Sequence, residues 1–168
     1  MSMGREQSKS KIKFITQGAL IAAMYVALTY VFQPFSFGAI QVRISEAQTI
    51  LPIFTPAAIP GLFIGCLLGN LLGGASPWDI VFGSLATLVG AVFTYMLRKK
   101  NPIFGTIPPI ISNTLVIPFV LKYAYGEAMP IWLLMVTIFV GEVLSCGVLG
   151  SLLGFGLSRV RGSLKLDK

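Results

Sequence analysis

The amino-acid sequence predicts an all-α integral membrane protein with six transmembrane helices and both termini cytoplasmic. Three observations predict it. Hydrophobic residues make up 55% of the 168 residues and charged residues 11%, against about 25% charged in an ordinary soluble domain. Uncharged stretches recur at spanning length. Basic residues cluster between these stretches rather than along them. Of 13 Lys and Arg, 11 fall in three patches: Arg5, Lys9, Lys11 and Lys13; Arg98, Lys99 and Lys100; Arg159, Arg161, Lys165 and Lys168. A soluble chain of this size buries only part of its surface, too little for a mean hydropathy of +0.82. The net charge of +7 would point to nucleic acid in a soluble protein. Here its placement reads as topology, because cytoplasmic loops collect Lys and Arg.

The first helix is expected over 14–33, within an uncharged run from 14 to 42. No cleavable signal peptide is evident, since this run has spanning length and no clear small-residue cleavage site. The next run, 47–78, has no charge but contains Pro52, Pro56 and Pro60, and proline kinks or breaks helices. One helix here would give five spans and put the first two basic patches on opposite sides. Two helices, 45–55 and 58–74, put all three patches on one side. The remaining helices are expected at 77–97, 103–123 and 130–158. The second is short for a hydrocarbon core of about 30 Å, so it must tilt or be shielded by protein. On this scheme residues 1–13 and 159–168 are basic cytoplasmic ends, and 14–158 form the membrane domain.

Two helix starts are marked. Ser45-Glu46-Ala47-Gln48 reads as a capping box. Ser76-Pro77-Trp78-Asp79 puts serine at N-cap, proline at N1 and an acid at N3. Before the first, residues 37–44 alternate apolar and polar like a short strand. Ala19, Ala23 and Ala27 form one small-residue stripe. Gly61, Gly65, Gly69 and Gly73 form another, and Gly150 and Gly154 a third. Such stripes let helices approach closely in lipid. The glycine stripe reads as packing within the bundle. The alanine stripe fits that reading or a face presented to another subunit.

Polar residues at membrane depth need a reason, since a charge at the bilayer centre costs about 3 kcal/mol on insertion scales. Glu142 lies mid-helix, where no cap explains it; a structural hydrogen bond is the plain alternative. Asn113 and Asn70 fit either interhelical hydrogen bonds or ligand contacts. Glu46 and Asp79 sit in first turns, where the helix dipole alone favours an acid. Arg43 lies three residues before Glu46, close enough to pair with it, and Trp78 fits an interface anchor. On the six-span scheme Arg43, Glu46, Asn70, Trp78 and Asp79 fall on the outer side with Asn113 and Glu142 below, so one outward-open pocket would collect all seven. The chain has no histidine, no Walker A sequence and no metal-ligand spacing. Cys66 and Cys146 sit in apolar runs and read as buried, inert thiols. Enzymatic chemistry, ATP hydrolysis by this chain and a bound cofactor are not expected.

The segments FGAIQVRISEAQTILPIF (37–54), GNLLGG (69–74), PWDIVFGSLATL (77–88) and PPIISN (108–113) resemble the queuosine-precursor transporter family, QueT-type, across roughly residues 14–158. The resemblance implies a substrate-binding S-component of an energy-coupling-factor (ECF) transporter: a six-helix bundle partnered by a transmembrane coupling protein and two cytoplasmic ATPases. It implies that Ala19, Ala23 and Ala27 dock on the coupling protein and that a loop including 34–44 roofs the ligand pocket. The implied substrate is queuine or another 7-deazaguanine. Glu46, Asp79 or Glu142 would read two adjacent N–H donors on such a ring, Asn70 and Asn113 its carbonyl face, and Trp78 or a nearby Phe would stack on it. The competing reading is a stand-alone proton-coupled secondary transporter with Glu142 as the coupling carboxylate.

Overall fold

The computed structural model describes residues 2–36 and 42–163. Its helices run in chain order as α1 (Ser2–Val31), a single turn at Gln33–Ser36, a 3-10 helix (Ile44–Ile53), α2 (Ala58–Leu72), α3 (Pro77–Met96), a single turn at Pro102–Gly105, α4 (Ile107–Ala124), α5 (Ile131–Glu142), a π-helical turn (Val143–Leu149) and α6 (Gly150–Ser163). Among the described residues four helical stretches are long and apolar enough to cross a membrane, and Ala58–Leu72 is a shorter apolar helix. The large aliphatic and aromatic side chains point outward in number, while the interior holds Arg43, Glu46, Asp79 and Glu142. That inside-out polarity belongs to a protein whose solvent is lipid.

The proline-rich run divides as expected. Pro52 lies inside the 3-10 helix and the chain turns over Phe54–Ala57 before α2. The two segments form an antiparallel hairpin. Ser45 meets Thr29 of α1 at one end, and Ile53 packs at Gly105 at the other. Contacts there gather the three basic segments: Gln17 bonds Thr55, Thr94 bonds the Gly105 carbonyl, and Gly154 lies against Pro102 and Ile50. This is the basic end of the bundle. At the opposite end Gln33 bonds Gly73 and Arg43 pairs with Asp79.

Close helix approach is written in glycine. A Cβ at Gly61 would lie 2.7 Å from the Gly18 carbonyl oxygen, and one at Gly65 would lie 2.7 Å from Tyr25 Cβ. The glycine stripe is therefore internal packing of α2 on α1. Gly154 serves the 3-10 helix in the same way, with Ile50 3.1 Å from the position its Cβ would take. Ala19, Ala23 and Ala27 stay exposed and line an apolar groove of about 790 Å³ between α1 and α2.

Three local expectations change. The Ser45–Gln48 capping box does not form. Arg43 holds the N-cap position, with its carbonyl accepting from Glu46 N at 2.9 Å, and the Ser45 hydroxyl accepts from Thr29 at 2.9 Å instead. The tighter 3-10 winding turns Ser45 toward α1. The expected last helix is interrupted by the π turn, which carries buried Ser145 and Cys146 and packs on the 3-10 helix. Helix α1 extends back to Ser2, through the basic segment expected to precede the first span. Of the strand-like segment 37–44 and the roof loop 34–44, residues 37–41 lie outside the described residues; Val42 and Arg43 carry no regular structure and Ile44 opens the 3-10 helix. The Ser76 cap forms as read: its hydroxyl accepts from Asp79 N at 3.3 Å, with Pro77 opening the helix.

Candidate functional site

The 3-10 helix occupies the centre of the bundle, packed by α1, α2, α3, α6 and the π turn. It brings polar side chains to membrane depth, and two linked clusters form around it. The first closes the end away from the basic patches. Arg43 and Asp79 are 4% and 0% exposed, with Arg43 Nη2 3.6 Å from Asp79 Oδ2. Tyr125, just past α4, donates to the same carboxylate oxygen at 3.0 Å. Its hydroxyl also accepts from Ser76 N at 2.9 Å. Asn70 on α2 donates to the Asp79 carbonyl at 3.3 Å. This clasp ties the start of the 3-10 helix to α3 and to the α4–α5 connection. Beside it a cavity of about 410 Å³ is lined by Gln33, Pro34, Gly73, Gly74, Ala75 and Tyr125.

The second cluster lies deeper and is richer in acid. Tyr25 on α1 donates its hydroxyl to Glu46 Oε1. Asn113 on α4 donates to Glu142 Oε1 at 2.9 Å. The Cys146 thiol donates to Glu142 Oε2 at 3.1 Å, and Thr49 Oγ1 lies 3.3 Å from that sulfur. Ligand atoms of Glu46, Glu142 and Cys146 all lie within 4.8 Å of one another. Two carboxylates and a thiol, with no imidazole, match no common transition-metal or calcium site, and each is already engaged by a side-chain hydrogen bond. Together the two clusters set three buried carboxylates against one buried guanidinium. Among the described residues, Glu46 Oε2, Asp79 Oδ1, the Gln48 amide and Ser145 Oγ are buried with no hydrogen-bond partner.

Six of the seven residues singled out from sequence meet in these clusters: Arg43, Glu46, Asn70, Asp79, Asn113 and Glu142. Arg43 has its ion pair with Asp79 rather than the sequence neighbour Glu46. Trp78 stands apart: it is 61% exposed and stacks on Phe82 at 5.8 Å between centroids, facing outward beside Leu115 and Phe119. Its neighbour Asp79 turns inward because adjacent helical residues point about 100° apart. Sequence reasoning missed Tyr25, Gln48, Thr49, Tyr125 and Ser145 as members of the site. Tyr25 and Thr29 carried a signal, polar groups four apart on one face of a spanning helix. Cys146 is buried as expected, but it is bonded to Glu142 rather than packed as an inert hydrophobe.

A family model described as QueT transporter matches residues 15–159. A protein of Lactococcus lactis subsp. cremoris (strain MG1363) named "Queuosine precursor transporter QueT" is 38% identical over 84 residues, 48% of this chain and 48% of the relative. The aligned chain thus spans about half the length of that curated relative. No solved structure matches the chain. With the family match running from the middle of α1 to the end of the bundle, over helices apolar enough for the membrane, this chain is a multi-pass cell-membrane protein and belongs to the QueT transporter family.

Proposed function

We propose that the chain is the substrate-binding membrane subunit of an ATP-driven ECF transporter importing a queuosine precursor, queuine or another 7-deazaguanine. The observation that carries the reading is the buried acid-and-amide cluster of Glu46, Asn113 and Glu142 in a chain whose exterior is apolar. A guanine-type ring presents adjacent N–H donors, which one carboxylate accepts in bidentate fashion. A second carboxylate faces the amine that such precursors carry at the 7-position, and an interior with more acids than cations suits that charge. Asn70 and Asn113 serve the carbonyl face. Asp79 and Arg43 act as the clasp over the site, while Trp78 faces away from it. The name of the Lactococcus lactis relative supports the substrate class.

The basic end faces the cytoplasm, which sets the clasp and the 34–44 loop on the outer side. The chain has no phosphate-binding loop of its own, so a transmembrane coupling protein and two cytoplasmic ATPases supply the energy. The exposed Ala19, Ala23 and Ala27 groove is the docking face, where small side chains permit close helix approach. The chain binds, reorients and releases; it performs no covalent chemistry and holds no cofactor.

Isothermal titration calorimetry on the purified chain in detergent tests the reading. Queuine or 7-aminomethyl-7-deazaguanine binds tightly without partners, and guanine binds more weakly. A folded sample that binds none of them overturns the substrate assignment. Uptake by the chain alone in liposomes, driven by a proton gradient without ATP, overturns the ECF assignment in favour of secondary transport.

A further inference from the structure

A 3-10 helix has three residues per turn, so side chains three apart eclipse one another. Along Ile44–Ile53 this sorts the residues into three rows. Ile44, Ala47, Ile50 and Ile53 form one, and Ile50 and Ile53 meet Gly105. Glu46, Thr49 and Pro52 form the second, whose polar members reach Tyr25 and Cys146. Ser45, Gln48 and Leu51 form the third. Ser45 is bonded to Thr29, and Leu51 packs on the cluster of Ile21, Tyr25, Ala58, Leu62, Cys66 and Ala91. Gln48 therefore lies between them, on the row facing α1 and α2.

Gln48 is 2% exposed, and among the described residues neither its amide oxygen nor its amide nitrogen has a hydrogen-bond partner. Its polar neighbours on the same helix are bonded: Ser45 to Thr29, Glu46 to Tyr25, and Thr49 to the Glu46 carbonyl. Buried polar side chains nearly always find partners, so one left wholly unpaired calls for an explanation. Packing offers none, because an apolar side chain of similar shape would fill the same space without desolvating an amide.

We propose that Gln48 is a substrate-binding residue that reads the side of the ligand where the ring carbonyl oxygen stands beside the amine N–H of the 7-substituent. An amide carries two donors and an acceptor, so it satisfies both groups at once. A carboxylate, which only accepts, cannot hold the carbonyl. The division of labour follows: one carboxylate takes the adjacent ring N–H donors, a second faces the 7-position amine, and Gln48 joins Asn70 and Asn113 at the carbonyl. This inference rests on the deazaguanine reading above.

The test is titration calorimetry of 7-aminomethyl-7-deazaguanine into the full-length chain in detergent, with thermal unfolding of each ligand-free protein alongside. Gln48→Met weakens binding at least tenfold while the ligand-free melting temperature holds or rises, because an unpaired buried amide has been removed. Gln48→Glu keeps the shape and loses the donors, and it too weakens binding at least tenfold. Wild-type binding with both variants within threefold of it overturns the proposal. So does a fall in melting temperature in both variants, which marks Gln48 as structural. If the wild-type chain binds no deazapurine, the proposed function falls and this inference falls with it.

Discussion

The Arg43–Asp79 pair is the interaction whose removal is most informative. Both side chains are buried, 3.6 Å apart, and Tyr125 adds a hydrogen bond to the same carboxylate oxygen. At an effective dielectric of about 20, two unit charges at that distance attract by about 4–5 kcal/mol, part of which offsets the cost of desolvating both ions. Removing one partner strands the other as a buried charge and costs about 3–5 kcal/mol; removing both costs far less than twice that. Asp79→Asn keeps an oxygen for Tyr125, so it falls near the lower end, at about 3 kcal/mol. Arg43→Met leaves the carboxylate with Tyr125 and costs a similar amount. The double variant is destabilised by about as much as either single one, giving a coupling energy of about 3 kcal/mol. Unfolding of all four proteins by SDS titration in mixed micelles measures the cycle. Single effects that simply add, within about 0.5 kcal/mol, would refute the clasp as an energetic unit.

Four further outcomes follow from the same geometry. Glu142→Gln keeps an oxygen for Asn113 but loses the charge and the acceptor for the Cys146 thiol, so deazapurine affinity by calorimetry drops about 10–100-fold, the loss of one ionic hydrogen bond of about 1.5–3 kcal/mol. Gly61→Ala drives a Cβ against the Gly18 carbonyl oxygen 2.7 Å away, a backbone atom that cannot rotate aside, and destabilises the α1–α2 pair by about 1–3 kcal/mol. In the same unfolding assay Gly156→Ala, with nothing within 4 Å, is neutral or stabilising. Trp78→Ala leaves affinity within about threefold, since the ring stacks on Phe82 and faces away from the acids; a tenfold loss would put the aromatic wall of the site back at Trp78.

Much of the fold was legible because lipid imposes a coarse rule that charge patterning records. Three basic patches and three prolines were enough to split 47–78 into a hairpin, and the contacts of Gly105, Thr94 and Gln17 put those patches at one end. Glu142, Asn113 and Asp79 were legible for the same reason: a polar side chain amid apolar residues stands out. Gln48 and Thr49 were not, because they sit in a segment polar enough to pass for a helix start. Tyr25 hid behind its own apolar ring. Trp78 was misplaced because nearness to Asp79 in sequence is not nearness in space on a helix. The capping box failed because a better partner for Ser45, the Thr29 hydroxyl, comes from a helix sixteen residues earlier, which no local pattern reveals.

The 3-10 helix explains why the acids sit where they do. Ten residues at about 2 Å each reach about 20 Å, well short of a hydrocarbon core of about 30 Å. An α-helix of the same residues would reach only about 15 Å. A segment that short survives at membrane depth only if protein encloses its backbone, and the surrounding helices do so. Its own ladder is weak, because 3-10 hydrogen-bond geometry is poorer than α-helical, so side-chain bonds position it instead: Thr29 to Ser45, Tyr25 to Glu46, Arg43 to Asp79 and Thr49 to Cys146. The four bonds end on three elements: α1, α3 and the π turn. A shift of α1, α3 or the π turn therefore moves the 3-10 helix that carries the Glu46 carboxylate, and a transporter that must bind on one side of the membrane and release on the other needs that kind of linkage between helix position and site geometry.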